Sequence, residues 1–242
     1  MAISARRVLV TGGTSGLGRA MAAALAAAGA RVALTGRSAA AAAAVAADLP
    51  GAAGVAMDVR EESSVAAAVG AAQALLGGID MLVNNAGIGM RTVNPHFMTR
   101  PQGFWEVPPD GFRAVIETNL TGYFLVAREV TPRMLAAGGG RIVNIAVNRS
   151  TMDRAGFVPY GPSRAGSEAL SKIMAADLRD TSVIVDLLLP GGATVRGMLP
   201  PGPPPKPGVP VIPAPGAAAC PACATHVSAQ RVRELRGGHG VH

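Results

Sequence analysis

The sequence predicts an α/β fold built on a doubly wound parallel sheet, and three observations carry that prediction. Short apolar, β-branched runs alternate with longer alanine-rich runs of helical period. Glycines stand at Gly29, Gly77-Gly78 and Gly138-Gly139-Gly140, where the helical runs should end in a residue able to adopt positive φ. A glycine-rich turn also follows the first apolar run and leads straight into a helical one.

Taken in order, strands are expected at 7–11, 31–35, 53–57, 81–84, 141–145 and 183–189. Helices are expected at 17–28, 39–49, 63–76, 112–136 and 160–180. A chain of 242 residues with 49% hydrophobic content is long enough for one sizeable core, so a single domain is expected over 1–195. From Pro190 onward the character changes. Eleven of the 19 prolines lie there, and most of the segment has neither helical nor strand period. Proline fixes φ and removes a backbone donor, so 196–242 is expected to be an irregular or disordered Pro-rich tail that adds no packed core. An abrupt turn to Pro, Cys, His and Arg is also what a shifted reading frame in a GC-rich gene would produce.

The net charge is +7, but Pro190 to His242 holds five basic residues against one acidic, so four of those charges belong to the tail. The body has no basic run of the kind that tracks a phosphate backbone, and no nucleic-acid partner is expected. Both cysteines, Cys220 and Cys223, are in the tail. A body without cysteines reads as a protein of a reducing compartment, the cytoplasm. Neither a signal peptide nor a membrane span is expected. Cys220-Pro-Ala-Cys223 with His226, His239 and His242 lacks a second paired motif, and no metal site is assigned.

The first strand ends in Thr11-Gly12-Gly13-Thr14-Ser15-Gly16-Leu17-Gly18. Gly12 permits the sharp turn, Gly16 lets backbone approach a pyrophosphate, and Gly18 lets helix and strand pack closely. Thr14, Ser15 and Leu17 complete the turn, and the helix N-terminus supplies amides and partial positive charge. This is a Rossmann-type dinucleotide site. At the end of the second strand, Thr35-Gly36-Arg37, there is no carboxylate to hold a ribose 2′-hydroxyl, and Arg37 can pair with a 2′-phosphate instead. NADP(H) is therefore the preferred cofactor, with NAD(H) as the alternative.

The Thr-Gly-x-x-x-Gly-x-Gly spacing, followed after the fourth strand by Asn84-Asn85-Ala86-Gly87, resembles the short-chain dehydrogenase/reductase family. Asp58-Val59 resembles that family's adenine contact, and Asn119 lies in a matching Thr-Asn-Leu-Thr-Gly run. Tyr160 opens the fifth long helix, and Pro190-Gly191-Gly192-Ala193-Thr194 resembles the loop that holds the nicotinamide carboxamide. The resemblance covers about four fifths of the chain. It implies hydride transfer between nicotinamide and a small-molecule carbonyl or alcohol, with Tyr160 as general acid or base and Asn119 anchoring a water in the proton relay. It also implies cofactor contacts from Asn85, Ala86, Gly87, Tyr160, Pro190, Gly191 and Thr194, and a homodimer or homotetramer through the helices over 112–136 and 160–180.

Two positions depart from the family pattern. A phenol titrates ordinarily near 10, so it needs a neighbouring cation to work at neutral pH. The family supplies a lysine one helical turn after the tyrosine, whereas this chain has Arg164. Arginine keeps the charge and can donate to ribose hydroxyls, but it cannot pass a proton on. The family serine that bonds the substrate oxygen is also missing: Ala146 and Val147 follow the fifth strand, and neither side chain can donate. Asn148 is the candidate replacement, with Ser150 and Thr151 behind it, and Asn148 reads equally as a turn residue. The expected activity is an NADP(H)-preferring alcohol/carbonyl oxidoreductase of reduced power. The alternative is a catalytically weak dinucleotide-binding protein, acting as a sensor or interaction module, or a damaged gene product.

Overall fold

Six strands form a parallel sheet in the order β3-β2-β1-β4-β5-β6, in a computed structural model that describes residues 3–190, 193–194, 211–212 and 228–231. They are β1 (Arg7–Val10), β2 (Arg31–Gly36), β3 (Ala52–Ala56), β4 (Met81–Asn84), β5 (Gly140–Ile145) and β6 (Val183–Leu189). Each starts within one residue of its expected position. The reason is that β1, β2 and β4 are largely buried, so the apolar run and the strand coincide, while the edge strand β3 is only half-buried.

Alternation within the strands feeds two cores. Leu9, Ala33, Leu82, Ile142 and Val185 point to one face, where α3 (Glu62–Leu76) and α5 (Gly122–Ala136) cover them with Val65, Val69, Val126, Val130 and Met134. Val8, Val10, Val32, Leu34, Val83 and Ile145 point to the other. There α1 (Gly16–Ala27) and α2 (Ala39–Ala47) pack through Ala22, Ala26, Ala42 and Ala46. Alanine is the residue that lets these helices lie close on the sheet while keeping helix propensity high. Registers such as Leu9↔Leu82 and Val10↔Val83 keep like faces together across β1 and β4.

The chain runs outward from β1 through β2 to β3, then crosses to the opposite side of β1 to make β4. That reversal opens a crevice beyond the carboxyl ends of β1 and β4, and ligands of open α/β sheets bind in such a crevice.

Two features add to the sequence-based expectations. The helix expected over 112–136 is continuous from Pro109 to Ala136 but contains a π-helical turn (Glu117–Thr121) between α4 (Pro109–Ile116) and α5. The extra residue of a π-turn rotates a side chain out of the amphipathic repeat, so periodicity does not show it, and such turns occur frequently at functional sites. Secondly, four described residues of the tail pair with the sheet. β9 (Ser228–Arg231) pairs antiparallel with β6, in register Asp186↔Arg231 to Leu189↔Ser228. Two-residue strands β7 (Ala193–Thr194) and β8 (Val211–Ile212) pair with each other. A sheet edge offers backbone donors and acceptors to any extended segment, so this pairing requires no apolar alternation and leaves none to be read. Gly191, both cysteines, His226, His239 and His242 lie outside the described residues.

Two more α-helices follow among the described residues, the four-residue α6 (Arg149–Met152) and the 18-residue α7 (Tyr160–Asp177). Among the described residues, no helix is long and apolar enough to cross a membrane, and no cluster of three potential metal ligands occurs.

Candidate active site

The cleft over the switch point is about 630 Å³ in volume and reaches from the carboxyl ends of β2 and β3 to that of β5 and the start of α7. Gly12, Thr14, Ser15, Gly16, Leu17 and Gly18 form its floor, as the glycine pattern predicts. Gly16 has φ +53°, and a methyl group added there would meet nothing within 4 Å, so the backbone is presented bare to the cleft. A methyl group on Gly18 would sit 2.2 Å from the Gly12 carbonyl oxygen and 2.4 Å from Asn85 Nδ2. Ser15 leads into α1 without bonding its first turn through its side chain, and that turn carries no acidic residue. The open amides and the positive end of the helix dipole suit a diphosphate. A dinucleotide therefore fits this floor, because a side chain at Gly18 would displace the turn and one at Gly16 would occupy the open space at a strained φ.

Asn85 and Ala86 lock the phosphate turn to β4. Both of their backbone amides donate to Thr11 Oγ1 at 3.0 Å, and Asn85 Nδ2 donates to the carbonyls of Thr11 at 3.0 Å and Gly12 at 3.2 Å. Thr11 is fully buried, and sequence reasoning gave it no role. One residue earlier, Asn84 Nδ2 donates to Asn144 Oδ1 at 2.9 Å, tying the ends of β4 and β5 together.

At the β2 and β3 end, Arg37, Asp58, Val59 and Arg60 line the cleft. Asp58 accepts from Arg60 Nε at 2.9 Å and from the Arg60 amide at 3.1 Å. The Arg60 guanidinium holds the Asp58 carboxyl below the usual carboxylate range. Asp58 is thus already ion-paired, a partner its sequence position did not reveal.

At the other end, Tyr160 opens α7, lines the cleft and is 4% exposed. Its ring stands edge-on to Phe157, at 6.5 Å between centroids. Arg164, one turn later, is 6% exposed and lies 5.3 Å from the Tyr160 ring centroid. Its Nη1 donates to Tyr123 Oη at 2.9 Å and to the Ile145 carbonyl at 3.0 Å. Burial works against the Arg164 charge, but the phenols of Tyr123 and Tyr160 outweigh it, and the group stays a cation. A methyl on Gly87 would lie 2.4 Å from Arg164 Nη2, so glycine there makes room for the guanidinium.

Asn119 is fully buried in the π-turn. Its Oδ1 accepts from the Ile88 amide at 2.8 Å, and its Nδ2 donates to the Ile88 carbonyl at 2.9 Å and to Ser163 Oγ at 3.1 Å. The side chain therefore clamps the loop that follows Asn-Asn-Ala-Gly. Asn148 is placed differently from the expectation. It is exposed and caps α6, its Oδ1 accepting from the Thr151 amide at 2.9 Å, Thr151 Oγ1 at 2.7 Å and Ser150 Oγ at 3.0 Å. That engages all three polar candidates for the missing serine with one another. Ala146 and Val147 line the cleft instead, along with Pro190. Thr194 is in β7, and Gly191 lies outside the described residues.

The fold and cleft are those of a Rossmann-type α/β protein. The family model for short chain dehydrogenase matches residues 6–199, and the chain belongs to that family, whose members are NAD(P)-dependent oxidoreductases. Among its relatives is the 2-dehydro-3-deoxy-L-rhamnonate dehydrogenase (NAD(+)) of Sphingomonas sp., 38% identical over 76% of this chain and 71% of that protein. The 3-oxoacyl-(acyl-carrier-protein) reductase of Vibrio cholerae is 33% identical, over 79% and 75% respectively. Among solved structures, a metagenomic short-chain oxidoreductase in complex with NADP superposes with a TM-score of 0.70 at 31% identity, covering 80% of this chain and 85% of that one.

Proposed function

We propose that this protein is an NADP(H)-preferring oxidoreductase that interconverts an alcohol and a carbonyl on a small molecule, with reduced catalytic power. The observation that carries the reading is a single cleft holding Arg37 at the β2 end and Tyr160 with Arg164 at the β5 end. Arg37, the bare floor from Gly12 to Gly18, Asn85 to Gly87 and Pro190 would hold the dinucleotide, which supplies the hydride when bound.

Tyr160 Oη holds or releases the proton at the substrate oxygen. Arg164 keeps a positive charge one turn away, stabilising negative charge as it develops on the phenol. Asn119 serves this chemistry by fixing the Ile88 loop beside the substrate space. No side chain follows β5 to share the substrate oxygen with Tyr160, because Ala146 and Val147 are apolar there. Loss of one such donor costs about 10²–10³-fold in rate, and this is the basis for reduced power. Relatives named as dehydrogenases and as reductases support chemistry in either direction.

One observation favours a second reading. The Arg164 guanidinium is drawn toward Tyr123 and Ile145, and a site that also lacks the serine suits a protein that binds cofactor and turns over poorly. A cytoplasmic location is proposed from the cysteine-free body. A homodimer or homotetramer is proposed from α5 and α7, which expose Phe124, Leu135 and Ile173.

Parallel fluorescence titrations with NADPH and NADH test the reading. NADPH should bind more tightly, and Arg37→Ala should cost about tenfold of NADPH affinity while leaving NADH within about twofold, as expected for one charge-assisted contact. Failure of the folded protein to bind either nucleotide would end the oxidoreductase reading.

A further inference from the structure

Arg164 is a buried guanidinium with no carboxylate within ion-pairing distance among the described residues. A buried arginine ordinarily finds a bidentate acid. Here Nη1 gives both of its hydrogens to one small triangle, Tyr123 Oη at 2.9 Å and the Ile145 carbonyl at 3.0 Å. Tyr123 closes the triangle, its hydroxyl donating to the same Ile145 carbonyl at 3.1 Å. The Tyr123 hydroxyl is therefore oriented, with its hydrogen spent on the carbonyl and a lone pair facing the guanidinium. Tyr123 is 1% exposed, and its ring lies 5.6 Å from the guanidinium carbon. Arg164 Nε is buried with no hydrogen-bond partner among the described residues, and Nη2 lies beside Gly87, which lines the cleft together with Arg164.

We propose that Tyr123 is a positioning residue for Arg164, pinning Nη1 to the end of β5 so that Nη2 and the charge are held toward Tyr160 and the bound dinucleotide. The proposal rests on the reading of this cleft as a dinucleotide site. It accounts for a guanidinium at this place. A forked cation needs a second anchor to define its plane, and a hydroxyl fixed by a strand-end carbonyl supplies one without the opposing charge that a carboxylate would bring. Tyr123 touches neither substrate nor cofactor and acts only through Arg164.

The test is a double-mutant cycle read as the NADPH dissociation constant of the full-length protein, using wild type, Tyr123→Phe, Arg164→Lys and the double variant. Tyr123→Phe keeps the ring and removes one oxygen. It should weaken NADPH by about tenfold in the arginine background, as expected for a bond to a charged group. In the lysine background the same change should cost under about twofold, since the pair is already broken. Equal losses in both backgrounds would overturn the proposal while leaving the cofactor reading intact, because a tyrosine that merely packs does not couple to residue 164. Absence of NADPH binding by wild type would overturn the cofactor reading and this proposal with it.

A second measurement leaves residue 123 untouched, should Tyr123→Phe not fold. The chain has two tyrosines, Tyr123 and Tyr160, so ¹³Cζ-labelled tyrosine gives two signals that Tyr160→Phe assigns. Arg164→Lys should shift the Tyr123 signal, and an unmoved signal would sink the pairing.

Discussion

The two ends of the cleft are built on different principles. At the phosphate end the working groups are backbone: amides of the α1 first turn, the carbonyls of Thr11 and Gly12, and glycines whose missing side chains leave room. At the reaction end they are side chains, namely Tyr160, Arg164, Tyr123 and Asn119, together with the apolar Ala146 and Val147. The first end keeps every feature of the family pattern, and the second departs from it twice. A backbone site is determined by the fold itself, so it survives as long as the sheet does. A side-chain site is lost one substitution at a time, while the sheet persists.

Four experiments would break or sharpen that contrast. The largest effect is expected from Tyr160→Phe, which should lower carbonyl reduction by about 10²–10⁴-fold, the usual worth of a positioned acid. NADPH binding should hold within about threefold, because the phosphate end is untouched. Loss of binding to the same extent as turnover would mean that the two ends are not separable.

Next is a gain. Val147→Ser combined with Arg164→Lys should raise carbonyl reduction by about 10²-fold by returning a donor to the substrate oxygen. Unchanged turnover in a folded double variant would place the defect elsewhere in the cleft.

Gly18→Ala probes the backbone end. The added methyl meets the Gly12 carbonyl at 2.2 Å, so the turn must shift. Overpacking of this kind costs about 1–3 kcal/mol, to be read as a lower midpoint in urea unfolding together with weakened NADPH binding. A variant as stable as wild type would show the turn to be looser than its contacts imply.

The smallest effect concerns pH. Burial pushes the Tyr123 phenol above its ordinary value, while Arg164 pulls part of that back. The unfolded chain therefore releases this proton first as pH rises. The contribution to stability is complete below about pH 10, the unfolded value, and falls as pH climbs toward the higher folded value. Urea unfolding of wild type and Tyr123→Phe between neutral and strongly alkaline pH should show the wild type losing more stability at the top of the range. A parallel decline in both would contradict a buried, neutral Tyr123.

The sequence by itself determined the six parallel strands, the two-faced core and the phosphate end. Those features depend on local residue type: apolar runs for strands, alanine for close-lying helices, Gly12 and Gly18 where no side chain fits, and Gly16 where φ is positive. Tertiary structure alone decided the rest. Asn148 is a helix cap and Asn119 a loop clamp, because partners 3 and 31 residues away claim their side chains. Tyr123 lies 41 residues from Arg164 and carries no motif of its own, and only the packing of α5 against the end of β5 brings its hydroxyl to the guanidinium. Ser228–Arg231 joins β6 through backbone groups common to every residue, so nothing in its side chains could announce it. A pattern along the chain reveals what a residue does within its own element. What it does across elements depends on distances the fold creates.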